Sequence, residues 1–285
     1  MKTRIITAIA LMAIFFGVLF LPEMLFGSVV GHVVFAGALA GVIFLMLHEC
    51  YSATDASKGI RIAGFISASL ILLAGTPFVI GYNFHITAEL CSLAALLVIF
   101  INMTFVVALH GRRHFKEVLS NAFLTMYITI STSCIIITRA YFGTGYMMLI
   151  FLCAWSNDTF AYFTGKFIGR HKLIPHVSPN KTVEGSIGGI VGAVIICSVY
   201  LYVLNITIGI QSPWLLIGVL VGITGGLFGQ IGDLVASSIK RDTGVKDFGS
   251  IFPGHGGVMD RFDSVMFIAP VIFGILTVVL TLLEI

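Results

Sequence analysis

Nine apolar runs, most of them near the twenty or so residues a bilayer core requires, recur along the whole chain and leave little from which a water-soluble core could form. They lie at about Ile5 to Leu21, Val29 to Leu47, Ile62 to Gly81, Leu90 to Leu109, Val118 to Thr138, Tyr141 to Ala161, Ser186 to Ile208, Pro213 to Gly232 and Ser264 to Leu283. Only the sixth contains a charge, Asp158, next to Ser156 and Asn157. Charged residues make up 10% of the chain, against roughly a quarter in ordinary soluble domains. The expected fold is all-α, a polytopic membrane protein with about nine transmembrane helices.

The first run follows Met1, Lys2, Thr3 and Arg4, as a signal peptide would, yet no small-residue cleavage site follows it, so a retained helix is expected. Positive residues are held on the cytoplasmic side of membranes, which tests the helix count. Lys2, Arg4, Lys58, Arg61, Arg112, Arg113, Lys116, Lys166, Arg170, Lys172, Lys181, Lys240, Arg241, Lys246 and Arg261 all fall on one side, with Arg139 opposite. A cytoplasmic amino terminus follows. The same asymmetry accounts for the net charge of +3, so no nucleic-acid partner is implied. Cys50, Cys91, Cys134, Cys153 and Cys197 are scattered without the paired spacing that binds zinc and read as packing residues.

Two long connections, about Tyr162 to Gly185 and Ser237 to Asp263, carry most of the polar sequence, which divides the chain into N-terminal scaffold and lipid-contact helices, 1–138, and a C-terminal catalytic region, 139–285. Glycines four apart, Gly185 and Gly189, Gly188 and Gly192, Gly222 and Gly226, Gly225 and Gly229, predict close helix packing rather than a ligand site. His32, His48, His85, His110 and His114 stand singly and are read as packing or interfacial residues.

The stretch from Ser237 to Asp263 places three cations (Lys240, Arg241, Lys246), a turn rich in glycine (Gly254, His255, Gly256, Gly257), and then Asp260, Arg261 and Asp263 directly before an apolar run. Mg²⁺ is usually held by one or two carboxylates together with waters and substrate phosphates. If a helix begins near Met259, Asp260 and Asp263 share its face at i, i+3. Asp233 directly follows the eighth run, and an acid embedded in apolar sequence is by default a functional candidate, the alternative being an ion pair with a nearby Lys or Arg. Glycine amides in such a turn can approach an anion closely, although an ordinary surface turn has the same composition. In the other connection Arg170, Lys172 and Lys181 can neutralise triphosphate oxygens, the alternative being positive-inside retention alone, and Ser178 and Thr182 add hydroxyls near a helix amino terminus. No Walker-type run is present.

The block from Ser237 to Asp263 resembles the signature of the phosphatidate cytidylyltransferase family. The resemblance extends over Trp155 to Gly185, with Asp158, Ala161, Tyr162, Gly165, Lys172, Leu173, Pro175, Ser178, Pro179, Lys181, Thr182, Glu184 and Gly185 in place, and to the pair Gly232–Asp233. Asn157 and Phe160 depart from the smaller residues some members carry. The first half resembles the family in its apolar helices and at Glu49, with no role attached.

The resemblance implies transfer of CMP from CTP to phosphatidate, giving CDP-diacylglycerol and pyrophosphate in phospholipid biosynthesis. It implies Mg²⁺, as one or two ions or one ion beside a monovalent cation, held by Asp233 and Asp260 with Asp263 assisting. Lys240 and Arg241 are expected at the reacting phosphates, and Lys172, Ser178, Lys181, Lys246 and Arg261 at substrate phosphate. Asp158, Thr182, Glu184, Ser237, Asp247, His255 and Gly256, within the matching blocks, are expected to contact substrate. A homodimer in the bacterial inner membrane, with its site facing the cytoplasm, is implied as well. Two other readings remain: a cytidylyltransferase or kinase acting on another lipid, such as an ether lipid or a polyprenol, and a transporter of a phosphorylated solute. Lipid-acceptor panels separate the first, and inverted repeats, not detected in the sequence, would mark the second.

Overall fold

A backbone crossing hydrocarbon must satisfy its own N–H and C=O groups, and a helix does so segment by segment. The computed structural model describes residues 2–80, 84–108, 115–209, 212–252 and 256–282. Its helices are α1 (Lys2–Phe26), α2 (Ser28–Ala53), α3 (Lys58–Val79), α4 (Phe84–Ala108), α5 (Phe115–Phe167), α6 (Val183–Ile208), α7 (Trp214–Asp242) and α8 (Met259–Leu282). Seven are long and apolar enough to cross a membrane, and α1 adds a shorter apolar stretch, Met12–Phe26. The nine expected runs thus appear as eight helices among the described residues. The fifth and sixth runs join in α5 across Gly143, whose φ of 86° and ψ of 171° interrupt the helix in a conformation that favours glycine.

One feature lies outside the all-α expectation. Residues 172–182, expected as a loop, form a short antiparallel hairpin, β1 (Lys172–Ile174) and β2 (Ser178–Thr182), with Lys172 opposite Thr182 and Ile174 opposite Ser178.

The chain divides into two compact units, residues 1–140 with 243–261 and residues 141–242 with 262–285.

In the first unit, consecutive helices α1 to α4 pack against one another. The α2 helix buries Gly31, Phe35, Leu39, Ile43, Met46, Leu47 and Cys50, a stripe at helical spacing, while Val29, Val33 and Leu45 are exposed, as lipid-facing residues are. Polar bonds between helices join the apolar packing: Tyr51 Oη and Thr125 Oγ1 lie 2.5 Å apart, and Thr54 Oγ1 donates to Asn121 Oδ1 at 2.9 Å. Arg139 is 1% exposed, donates through Nη2 to Leu19 O at 2.9 Å and to Glu23 Oε2 at 2.8 Å, and stacks on Phe35 at 4.5 Å.

In the second unit glycine sets the helix spacing, as the four-residue repeats predict. A Cβ on Gly222 would lie 2.3 Å from Val194 Cα, and one on Gly189 would lie 2.8 Å from Asn157 O, so α6 meets α7 and the end of α5 almost backbone to backbone. Gly232 does the same for α8, where its Cβ would lie 2.6 Å from Asp263 O.

Candidate functional site

The sites expected from sequence fall into two groups, one in each unit. In the second unit the end of α5, the hairpin, the start of α6 and the end of α7 enclose a cavity of about 460 Å³, within the usual range for small-molecule sites. Asp158, Tyr162, Lys166, Lys181, Thr182 and Asp233 are among its lining residues. Its wall is braced by amides that sequence reasoning missed. Gln230 Nε2 donates to Asn157 Oδ1 and to Ser186 O, each at 3.0 Å, and the Ser186 hydroxyl donates to Gln230 Oε1. Asn157 is buried, so these bonds fix how α5, α6 and α7 meet.

Lys181 Nζ lies 2.5 Å from Asp233 Oδ2, and the Ser237 hydroxyl lies 3.5 Å from Asp233 Oδ1. The ion-pair alternative for Asp233 is therefore realised, at the cavity wall and with both side chains partly exposed. Lys240 and Arg241 occupy the last turn of α7, where cations complement the helix dipole.

The hairpin presents Lys181 because its base is closed. Glu184, in the first turn of α6, accepts from Arg170 N at 3.1 Å, His171 N at 3.2 Å and His171 Nδ1 at 2.6 Å. Thr182 caps α6 by accepting from Gly185 N at 3.1 Å. A Cβ on Gly165, Gly169 or Gly185 would come within 2.9 Å of the Thr182 hydroxyl, so the cap sits in a pocket only glycines can make. Glu184 and Thr182, expected at substrate, both hold the loop in shape, and Thr182 also lines the cavity. Lys172 Nζ donates to Pro179 O at 2.7 Å within the hairpin, and Ser178 opens β2; neither lines the cavity.

In the first unit, α8 begins at Met259, which places Asp260 in its first turn. Asp260 Oδ2 accepts from Phe248 N at 2.9 Å and Gly257 N at 3.0 Å. Gly256 has φ 82°, and a Cβ there would meet Asp260 Oδ2 at 3.1 Å and Asp247 Oδ1 at 3.5 Å, so two acids flank this glycine. Phe252 N donates to Gly256 O at 3.0 Å. Glu49 reaches the same segment, accepting from Val258 N at 3.0 Å and Met259 N at 2.9 Å. Lys246 and Arg261 are exposed, and His255 lies outside the described residues.

Among the described residues, no three His, Cys, Asp or Glu side chains gather as a metal-holding group. The donor chemistry nevertheless fits a hard divalent cation. Asp233 is one residue from the Gly232 contact with Asp263 O, so two carboxylate-bearing positions adjoin where α7 meets α8, and Mg²⁺ commonly takes one or two protein carboxylates and completes its shell with water and phosphate.

Comparison with known proteins places these features. The Cytidylyltransferase family matches residues 2–279. Over 272 residues, 95% of this chain and 97% of the relative, the chain is 37% identical to a phosphatidate cytidylyltransferase of Staphylococcus aureus (strain COL). It is 38% identical, over the same shares, to one of Staphylococcus haemolyticus (strain JCSC1435) and 37% identical to one of Staphylococcus epidermidis. With a match across nearly its whole length, this helical membrane protein belongs to the Cytidylyltransferase family.

Proposed function

We propose that the protein is a phosphatidate cytidylyltransferase, joining CTP and phosphatidate to give CDP-diacylglycerol and pyrophosphate. The observation that carries this reading is the cavity at the Lys181–Asp233 pair, built from the blocks that resemble the family signature. The phosphate monoester of phosphatidate is ionised near neutral pH and attacks the CTP α-phosphorus without a protein base. A P–O bond forms to the lipid phosphate, the bond between α-phosphorus and its bridging oxygen breaks, and pyrophosphate leaves. The obstacle is repulsion between anions. Lys181 and Lys166 at the cavity wall, with Lys240 and Arg241 at the end of α7, supply cations for the phosphates of CTP. Asp233 and Asp263, together with Asp260, would hold Mg²⁺, which when bound polarises phosphate oxygens and offsets developing charge. Positioning and electrostatics account for the rate.

The asymmetry of Lys and Arg supports a site facing the cytoplasm, where CTP is supplied, while acyl chains remain in hydrocarbon. A homodimer follows from the family resemblance alone, and the mass of the detergent-solubilised protein tests it. The experiment for the reaction supplies labelled CTP to purified protein with phosphatidate, an ether-lipid phosphate or a polyprenyl phosphate, with and without Mg²⁺. Metal-dependent label in CDP-diacylglycerol with matching pyrophosphate is expected. Label in another acceptor alone would reassign the lipid, and no transfer to any acceptor from folded protein would overturn the reading.

A further inference from the structure

Glu49 is 3% exposed near the end of α2, in a helix otherwise apolar over most of its length, and a charge in such a place is costly unless it is fully hydrogen-bonded. Among the described residues it makes no ion pair. Each carboxylate oxygen instead takes one backbone amide, Oε1 from Val258 and Oε2 from Met259, at the first turn of α8. The surrounding backbone leaves no room for anything else. A Cβ on Gly249 would lie 2.2 Å from Glu49 Oε1, and one on Gly257 would lie 2.5 Å from Oε2. The next amide back, Gly257 N, goes to Asp260. Three successive amides that a helix start leaves without intrahelical partners are thus shared between two acids, one of them brought from α2.

We propose that Glu49 is a positioning residue: by clamping Val258 and Met259 it sets where Asp260 stands. This rests on the reading of Asp260 as a metal ligand. A ligand's own orientation depends on the groups that hold it, and loss of such support costs about 10- to 100-fold in metal affinity or activity. In Glu49→Gln the side chain keeps its size but has one acceptor and one NH₂, and the NH₂ faces a second N–H.

The test compares full-length wild type, Glu49→Gln and Asp260→Asn in detergent. It measures Mn²⁺ affinity by electron paramagnetic resonance, amide exchange over 256–261, the Mg²⁺ concentration for half-maximal turnover, and Tm. For Glu49→Gln we expect Mn²⁺ affinity at least about tenfold weaker, a similar rise in half-activating Mg²⁺, faster exchange in that segment, and an unchanged KM for phosphatidate. Mn²⁺ affinity lost in Asp260→Asn but intact in Glu49→Gln overturns the role of Glu49 alone. Affinity intact in Asp260→Asn overturns the ligand reading and the proposal with it. Gly257→Ala, which presses on the same contact from the other side, stands in should Glu49→Gln fail to fold, with Gly37→Ala, in open space, as its control.

Discussion

Lys181 Nζ and Asp233 Oδ2, 2.5 Å apart, link β2 to the end of α7 across the wall of the cavity. The side chains are 25% and 32% exposed, and ion pairs that reach solvent contribute only about 0–1 kcal/mol to stability. The pair therefore places two opposite charges at the site more than it holds the fold together.

Lys181→Met and Asp233→Asn should each leave the thermal midpoint in detergent almost unmoved, the stability cost being below about 1 kcal/mol. Turnover should drop far more, by about 10²- to 10³-fold, the usual loss when one preorganised electrostatic group is removed from a reacting centre. Near-normal turnover in folded Asp233→Asn would remove this carboxylate from the reaction.

The glycine contacts separate two classes of position. Gly222→Ala drives a Cβ to 2.3 Å from Val194 Cα, backbone that cannot rotate away, so α6 and α7 must part, at a cost of about 1–3 kcal/mol. Gly37→Ala and Gly274→Ala meet nothing within 4 Å and should be neutral or slightly stabilising through helix propensity. Unfolding of purified variants in a denaturing detergent series ranks them, and equal losses at all three positions would refute the packing account.

The spans were legible because long runs without charge have few other solutions, and the start of α8 at Met259 followed from the acids before an apolar run. The fusion of two runs into α5 was not legible, since Arg139 and Ala140 separate them in sequence although the helix continues past both to Gly143. Nor was the hairpin: Ser178–Thr182 contains Pro179 and no alternation, and it pairs with only three residues. Glu49 was marked by the family resemblance alone, with no role attached, because the second run closes at Leu47, two residues short of it, while α2 continues to Ala53 and buries it. Asn157 and Gln230 find each other across 73 residues, a distance at which local pattern carries no information.

One carboxylate braces the base of the hairpin. Glu184→Ala removes the acceptor for Arg170 N, His171 N and His171 Nδ1 together, while the bond from Val183 N in α6 to His171 O remains. Loss of about 1.4 kcal/mol of loop ordering corresponds to a tenfold weaker apparent affinity for whatever Lys181 binds. We expect faster trypsin cleavage at Arg170 and Lys172 and a KM for CTP raised about tenfold, with helix content unchanged. Unaltered cleavage and KM would show that β-pairing and the bond from Val183 N to His171 O hold the loop without Glu184.

Arg139 and Glu23 supply the sharpest stability test. The guanidinium is 1% exposed, its Nε and Nη1 find no hydrogen-bond partner among the described residues, and its Nη2 is divided between Glu23 Oε2 and Leu19 O. Removing one partner of a buried pair strands the other charge, at about 3–5 kcal/mol. Glu23 is 36% exposed, so water can partly replace its carboxylate, and Glu23→Gln should sit at the lower end of that range. Arg139→Met removes the buried charge itself and leaves a half-exposed acid, which water solvates, so it should cost less than Glu23→Gln. The double variant should recover most of the Glu23→Gln loss, because no charge is then left buried. Equilibrium unfolding of the four proteins of this cycle reads the coupling directly, and strictly additive losses would mean that Leu19 O and the Phe35 ring, not Glu23, carry the guanidinium.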